Sequence, residues 1–375
     1  MCSLYIHIPF CQKKCYYCSF SSSVNGVGLF SSYVAAVQKE LTGYTFENTK
    51  RQLSTVFIGG GTPSILPVAL LEELIDDCLK NFHLLPDAEI TVETNPGTVD
   101  AHYIAHLLAA GVNRISLGVQ TFNDHELQVL GRIHDSYMAH TAFAAIKTAG
   151  CENISLDLMY GLPGQTAESW RSTLTEAISL GPQHLSLYQL TIEDGTPFHH
   201  ASQTGQITLP DEDEILLMDE ITYRLCADAG IKQYEISNFA LPGFECAHNI
   251  IYWQNGNYLA AGAAAVSCIN GVRERRVANP KDYIRRIQAG ESVIIERECL
   301  PLEASFRESV ILGLRMTPGV ALQQLADRYR IDLVEYYGGI LTRLLEMELV
   351  ELTAHSLKLT AKGRSLANWV MAELV

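Results

Sequence analysis

No stretch of this chain approaches the ~18 uninterrupted apolar residues that a membrane-crossing helix needs, so the sequence offers no integral membrane segment. A positively charged leader followed by an apolar run is also missing; Met1 passes straight into an alternating strand pattern. Basic residues are scarce, 27 Lys and Arg against 42 Asp and Glu, for a formal net charge of −15. Duplex binding needs a basic face to neutralise phosphate, and this balance argues against nucleic acid as a partner. Internal repeats and low-complexity linkers are absent as well. These absences describe a soluble protein, and the expected location is the cytoplasm.

What is present is a large apolar fraction, 47% of 375 residues, enough for one large α/β domain and a smaller one without disulfide support. The ten cysteines are therefore expected to be reduced. Seven of them (Cys2, Cys78, Cys151, Cys226, Cys246, Cys268 and Cys299) are scattered singly and read as packing residues. The other three differ. Cys11, Cys15 and Cys18 follow the run Leu4–Pro9 at spacing C-x3-C-x2-C, with Lys13 and Lys14 between them to favour thiolates.

Three thiolates in one short loop can converge on a soft metal centre and leave one position open. A closed zinc site usually draws on paired C-x2-C units, and no second pair follows. The better reading is a [4Fe–4S] cluster with one iron free for an outside ligand. The competing reading is a group of core thiols or half of a disulfide network.

Strand and helix patterns alternate through the first 230 residues. Strands are predicted at Leu4–Ile8, Thr55–Ile58, Glu89–Glu93, Arg114–Val119, Asn153–Leu158 and His184–Leu190. Helices are predicted near Phe30–Gly43, Pro67–Phe82, Val99–Ala110, Tyr137–Ala149, Ala167–Leu180 and Asp211–Ala229. Six successive β-α units imply a parallel sheet with right-handed crossovers, hence a TIM-like partial (β/α)6 barrel of class α/β.

Chemistry in such barrels sits at the carboxyl ends of the strands. Those ends carry Cys11–Cys18, Gly59-Gly60-Gly61-Thr62, Glu93, Gln120 and Asp157. Glycines let a backbone approach a ligand closely. Glu93 and Asp157 end apolar strands, where an unpartnered carboxylate is costly. A cationic ligand would partner them, and so would a salt bridge to Arg114 or Arg132. Gln120 and Arg132 could bind a ligand or tie loops together.

Together, Tyr5-Ile-His-Ile-Pro-Phe10, the cysteine triplet, Gly59-Gly-Gly-Thr-Pro63, Gly118-Val-Gln-Thr-Phe122 and Asp157-Leu-Met-Tyr-Gly-Leu-Pro163 resemble the coproporphyrinogen-dehydrogenase-like radical S-adenosylmethionine (SAM) proteins over nearly the whole chain. The resemblance implies that SAM chelates the free iron. It also implies that Tyr5, Gly60, Gly61, Thr62, Glu93, Gln120, Arg132 and Asp157 line the SAM site.

Three features separate two branches of that group. The dehydrogenases carry a further cysteine two positions after the third ligand, where this chain has Phe20, and a long extension before the cluster strand. The heme chaperone branch carries H-N-x-x-Y-W, and His248-Asn-Ile-Ile-Tyr-Trp253 matches it. That resemblance implies heme as a third cofactor, a heme-accepting partner protein and an electron donor to the cluster. His248 is then the heme ligand, with Cys246 a lower-ranked alternative; taken alone, such a histidine is more often structural. One departure is Val266, which stands where the chaperone branch shows histidine. The dehydrogenase branch implies the alternative activity, oxidation of coproporphyrinogen III through a 5′-deoxyadenosyl radical.

The pattern changes near Pro301. Helices near Leu302–Leu314, Leu322–Tyr329 and Leu333–Glu346, an alternating hairpin at Val350–Leu359 and a helix from Ala361 predict a winged-helix-like module. It holds eight Lys or Arg against nine Asp or Glu, which suits a lid or docking module better than a DNA reader. The expected division is 1–235 for the barrel core, 236–300 for a connecting region with the HNxxYW motif, and 301–375 for this module.

Overall fold

The computed structural model describes residues 2–24, 26–44 and 50–375. Six parallel strands form its centre: β1 (Cys2–Ile8), β2 (Gln52–Gly60), β3 (His83–Thr94), β4 (Arg114–Gln120), β5 (Ile154–Tyr160) and β6 (His184–Gln189), paired in that order. All seven residues of β4 are buried, as expected where helices cover one face and the barrel interior lies on the other. The crossover helices are α1 (Phe30–Thr42), α2 (Val68–Asn81), α3 (Ala101–Ala109), α4 (Asp124–Leu130), α5 (Ser136–Thr148) and α6 (Ala167–Ser179). Asp100, Asp135 and Thr166 cap three of them by accepting from the backbone N–H of Tyr103, Met138 and Ser169, which fixes where each helix starts. Helix α7 (Pro197–Gln203) follows β6, and α8 (Glu212–Asp228) packs against α6.

The barrel does not close, because β1 and β6 each meet a strand from the middle of the chain instead of each other. Short strands β7 (Lys232–Gln233) and β8 (Asn238–Ala240) extend the β6 edge antiparallel. Beside β1 lies β9 (Asn257–Ala261), parallel to it, with Tyr5 opposite Ala260. Antiparallel strands β10 (Val266–Ile269), β11 (Val272–Arg276) and β12 (Ile294–Cys299) continue outward, for twelve strands in all. Residues 236–300, expected as a connection, thus contribute strands to both edges of the core sheet. Their short, turn-rich strands lack the long apolar runs that make β1–β6 legible. The same segment carries α9 (Ala247–Trp253) and α10 (Pro280–Ala289).

The C-terminal module has its own core, built on Phe306, Leu314, Leu325, Leu341 and Leu357. Helices α11 (Leu302–Leu314), α12 (Leu322–Tyr329) and α13 (Leu333–Glu346) precede a small antiparallel sheet in which Ser356–Leu359 pairs with both Val320–Ala321 and Val350–Leu352. All ten cysteines are free. Cys78, Cys151, Cys226, Cys246 and Cys268 are buried, but Cys299, expected to pack, is exposed at the outer edge of the sheet, where no further layer covers it. Among the described residues, no helix is long and apolar enough to cross a membrane.

Candidate functional site

Strand β1 runs into the cysteine loop, and the glycine loop after β2 clamps it. Gly61 N–H donates to the Ile8 carbonyl at 2.8 Å and Thr62 N–H to the Phe10 carbonyl at 2.8 Å. A Cβ on Gly61 would lie 2.6 Å from the Phe10 oxygen and 2.8 Å from the Ile8 oxygen, backbone atoms that cannot yield, so this contact requires glycine. Gly60, at φ +113°, turns its N–H onto Glu93 Oε2 at 2.9 Å. Thr62 Oγ1 faces Cys11 Sγ at 3.7 Å.

All three cysteines, together with Gly60, Gly61 and Thr62, line one cavity of about 430 Å³ at the carboxyl ends of the strands. Glu93, Gln120, Arg132 and Asp157 complete its wall. Tyr5 does not reach it. Its hydroxyl meets His7 Nδ1 at 2.9 Å below the rim, and His7 Nε2 in turn meets the Ser21 carbonyl oxygen at 2.8 Å, behind the cysteine loop. The alternation of β1 explains this, since Tyr5 and His7 share the inward face but lie before the strand end.

The two carboxylates take no salt bridge among the described residues. Glu93 accepts from Gly60, while Asp157 accepts from Ser116 Oγ at 2.9 Å and Ser155 Oγ at 3.3 Å. Arg132 turns elsewhere: Nη2 donates to Asn95 Oδ1 and to the Gly118 carbonyl, each at 2.6 Å, and Nη1 approaches Cys15 Sγ at 3.6 Å. Burial pushes the Glu93 carboxyl up to about 7, against the Gly60 bond, and it also raises Asp157 against the serine bonds. Gln120, at φ 72°, holds a left-handed conformation rare for a side-chain-bearing residue, of the kind that collects at ligand sites. The Lys14 ammonium donates to the Phe20 carbonyl and its charge lowers the Cys18 thiol, as expected, but burial outweighs it and leaves that thiol raised.

Residues 5–177 match the Radical SAM superfamily, and residues 300–366 match the HemN C-terminal domain. A heme chaperone HemW from Lactococcus lactis is 35% identical, covering 100% of this chain and 97% of that protein. The Bacillus subtilis heme chaperone HemW is 37% identical, over 99% of this chain and 98% of its own length. The chain belongs to the HemW family of radical SAM proteins. Among solved structures, the coproporphyrinogen III oxidase HemN from Escherichia coli superimposes with a TM-score of 0.86 at 26% identity, over 99% of this chain and 89% of that one.

Radical SAM membership implies a [4Fe–4S] cluster and SAM, and the cavity fits both. All three thiols border it, as a cubane taking one thiolate on each of three irons requires. Its volume falls within the roughly 300–1,000 Å³ of small-molecule sites. Glu93 and Asp157, half-buried and without an ion pair among the described residues, stay raised despite the Arg114 charge that reaches both, which suits a positively charged ligand.

This makes the HemW-type site pH-sensitive. A cationic ligand favours ionised Glu93, so SAM affinity measured calorimetrically should rise between about pH 6 and pH 8, and Glu93→Gln should flatten that rise. An unchanged profile in the variant would remove Glu93 from the ligand's surroundings. Without ligand the sign for stability is the reverse. A carboxyl raised from 4.5 to about 7 stabilises the fold at low pH and loses that contribution as pH climbs through this window.

His248 stands apart from the cavity. It is 1% exposed on α9, with Nδ1 meeting Thr55 Oγ1 at 2.8 Å and Nε2 meeting the Tyr252 hydroxyl at 3.0 Å. Glu89 fastens this helix from the barrel floor, accepting from Ala247 N–H at 3.0 Å and His248 N–H at 3.1 Å. Burial lowers the imidazole to about 3, so it is neutral. Both ring nitrogens are engaged, and iron ligation by His248 requires α9 to release one of them. Cys246, buried with its thiol on Glu89 Oε1 at 3.4 Å, is no more open.

The sequence places Asn95 at the rim but gives it no role. Its amide donates to Thr62 Oγ1 at 3.0 Å while its oxygen receives Arg132, so one side chain aligns the walls on both sides of the cysteines. The available signal was an Asn-Pro pair ending β3 at the chemical rim.

Proposed function

We propose that the protein is a heme chaperone, holding a SAM-bound [4Fe–4S] cluster at the barrel rim, binding heme and passing it to an acceptor protein. The observation carrying this reading is full-length similarity to relatives named heme chaperones, joined to the motif His248-Asn-x-x-Tyr-Trp253. Cys11, Cys15 and Cys18 hold the cluster; Gly60, Gly61, Thr62, Glu93, Gln120, Arg132 and Asp157 hold SAM. Tyr5 supports the cysteine loop from beneath through His7. His248 serves heme after α9 loosens. An external donor supplies electrons to the cluster, and the ten free thiols suit a reducing cytoplasm. Coproporphyrinogen oxidation is the weaker reading. Phe20, 66% exposed at the cavity mouth, stands where the dehydrogenases have cysteine.

The test is a heme titration of anaerobically reconstituted protein, followed at the Soret band. A saturable shift at one heme per chain is expected, with His248→Ala changing band position or weakening binding by about tenfold or more. A wild-type chain that leaves the Soret band of free heme unmoved would sink the reading.

A further inference from the structure

The lateral gap of the open barrel is where the C-terminal module joins the core, and the joint is held by backbone. Glu235 bridges Met316, Ile236 N–H donates to the Arg315 carbonyl at 3.0 Å, and Thr317 N–H donates to the Tyr234 carbonyl at 2.9 Å. These bonds fix the start of the Arg315 side chain. Its guanidinium then lies over the Trp253 ring, 4.4 Å from the centroid, at the end of the HNxxYW helix.

Four buried polar atoms without a partner among the described residues meet at this joint: Glu235 Oε2, Asn238 Oδ1, Trp253 Nε1 and Arg315 Nε. Glu235 and Asn238 are 1% and 2% exposed, and the Asn238 amide already occupies the other Glu235 oxygen. Arg315 is near enough for its charge to act on Glu235, but no hydrogen bond or ion pair within 4 Å joins them among the described residues. Buried donors and acceptors are normally paired, and each that is not costs folding free energy. Two unpaired donors beside two unpaired acceptors, with half-exposed Arg315 between them, form a receptor for a group that can satisfy both kinds. The receptor lies beside the strand that carries part of the cavity wall, because Leu187 N–H donates to the Ser237 carbonyl at 2.7 Å and the next residue, Tyr188, lines the cavity.

The geometry points to a carboxylate-binding site at this joint, in which Arg315 and Trp253 donate to one propionate of a bound porphyrin. This rests on the heme-chaperone reading and deepens it. The guanidinium and indole supply charge-assisted donors to the propionate oxygens. Burial raises the Glu235 carboxyl, so its proton can be shared with the incoming acid without setting two like charges side by side. Trp253 then belongs to the motif for its N–H as well as its ring, and the C-terminal module contributes a ligand-binding residue.

The experiment is a Soret titration of the full chain with heme and with heme dimethyl ester, which lacks free carboxylates. Arg315→Met is expected to weaken heme binding by about tenfold or more while leaving ester binding unchanged, and Arg315→Lys to recover part of the loss. Iron content and thermal midpoint, both expected to match wild type, guard against misfolding; Trp253→Phe, which keeps a ring but removes the donor, supplies a second arm with the same expected ester independence. If a folded Arg315→Met chain binds heme as tightly as wild type, or wild type binds heme and ester equally, the propionate site is overturned and the chaperone reading survives. If wild type binds neither porphyrin, both fall together.

Discussion

A Cys15→Ser chain reconstituted anaerobically is expected to emerge nearly colourless, with iron and acid-labile sulfide reduced to a small fraction of wild type. Serine is a poor iron ligand, and in this site its loss is not local. Cys15 Sγ receives Arg132 Nη1 at 3.6 Å, and Arg132 is held in turn by Asn95 and Gly118, so the sulfur is one corner of a network reaching across two strand ends. Disturbing partners behind a metal ligand typically costs 10–100-fold in affinity, and removing the ligand itself should exceed that. Cys78→Ser, altering a thiol on the buried face of α2 and outside the cavity, is the matched control and should keep its iron. A Cys15→Ser chain with full iron and sulfide would dismantle the assignment of the triplet. Heme titration of the same variant separates the two cofactors, because α9 and its partners lie outside the cysteine loop.

Arg276→Met is expected to be the most damaging single change to stability outside the site. Arg276 Nε meets Glu40 Oε1 at 2.6 Å with side chains only 2% and 9% exposed, and Tyr44 shares the guanidinium. Glu40 Oε2 also accepts from Tyr283 at 2.5 Å and Gly262 N–H at 3.0 Å. Removing the cation strands a carboxylate among these groups, which costs about 3–5 kcal/mol. Replacing both partners by apolar residues of similar volume should restore much of the loss, since a buried pair and an apolar pair are often nearly equal in stability. The check is the denaturant midpoint of the three variants against wild type. A single variant within about 1 kcal/mol of wild type would mean that water replaces the lost cation.

The sequence announced the six parallel strands and their helices because each is a run of apolar residues bounded by glycine or a capping side chain. Leu156, Leu158 and their neighbours on β5 are buried whatever their tertiary partner, so local pattern and final environment agree. It announced most of the cavity wall for a related reason: a carboxylate or glycine triplet ending an apolar strand is costly unless something binds there. Other features could not be read. The strands of 257–299 owe their order to pairing with β1 and one another, and periodicity in segments of four to six residues does not encode that. Tyr5 sits on the predicted strand and His248 on a helix that was not predicted, and the distance of each from the rim depends on barrel depth. Asn95 looks like a turn residue until Arg132 arrives from 37 positions later.

The parallel pairing of β9 with β1 has a consequence for biosynthesis. The strand leading to the three sulfurs is made some 250 residues before one of its two neighbours, and gains it only when residues 257–261 have left the ribosome. Such long sequence separation slows closure. During translation the strand that leads into the cysteine loop therefore stays a half-paired edge until residues 257–261 arrive to cover its second side.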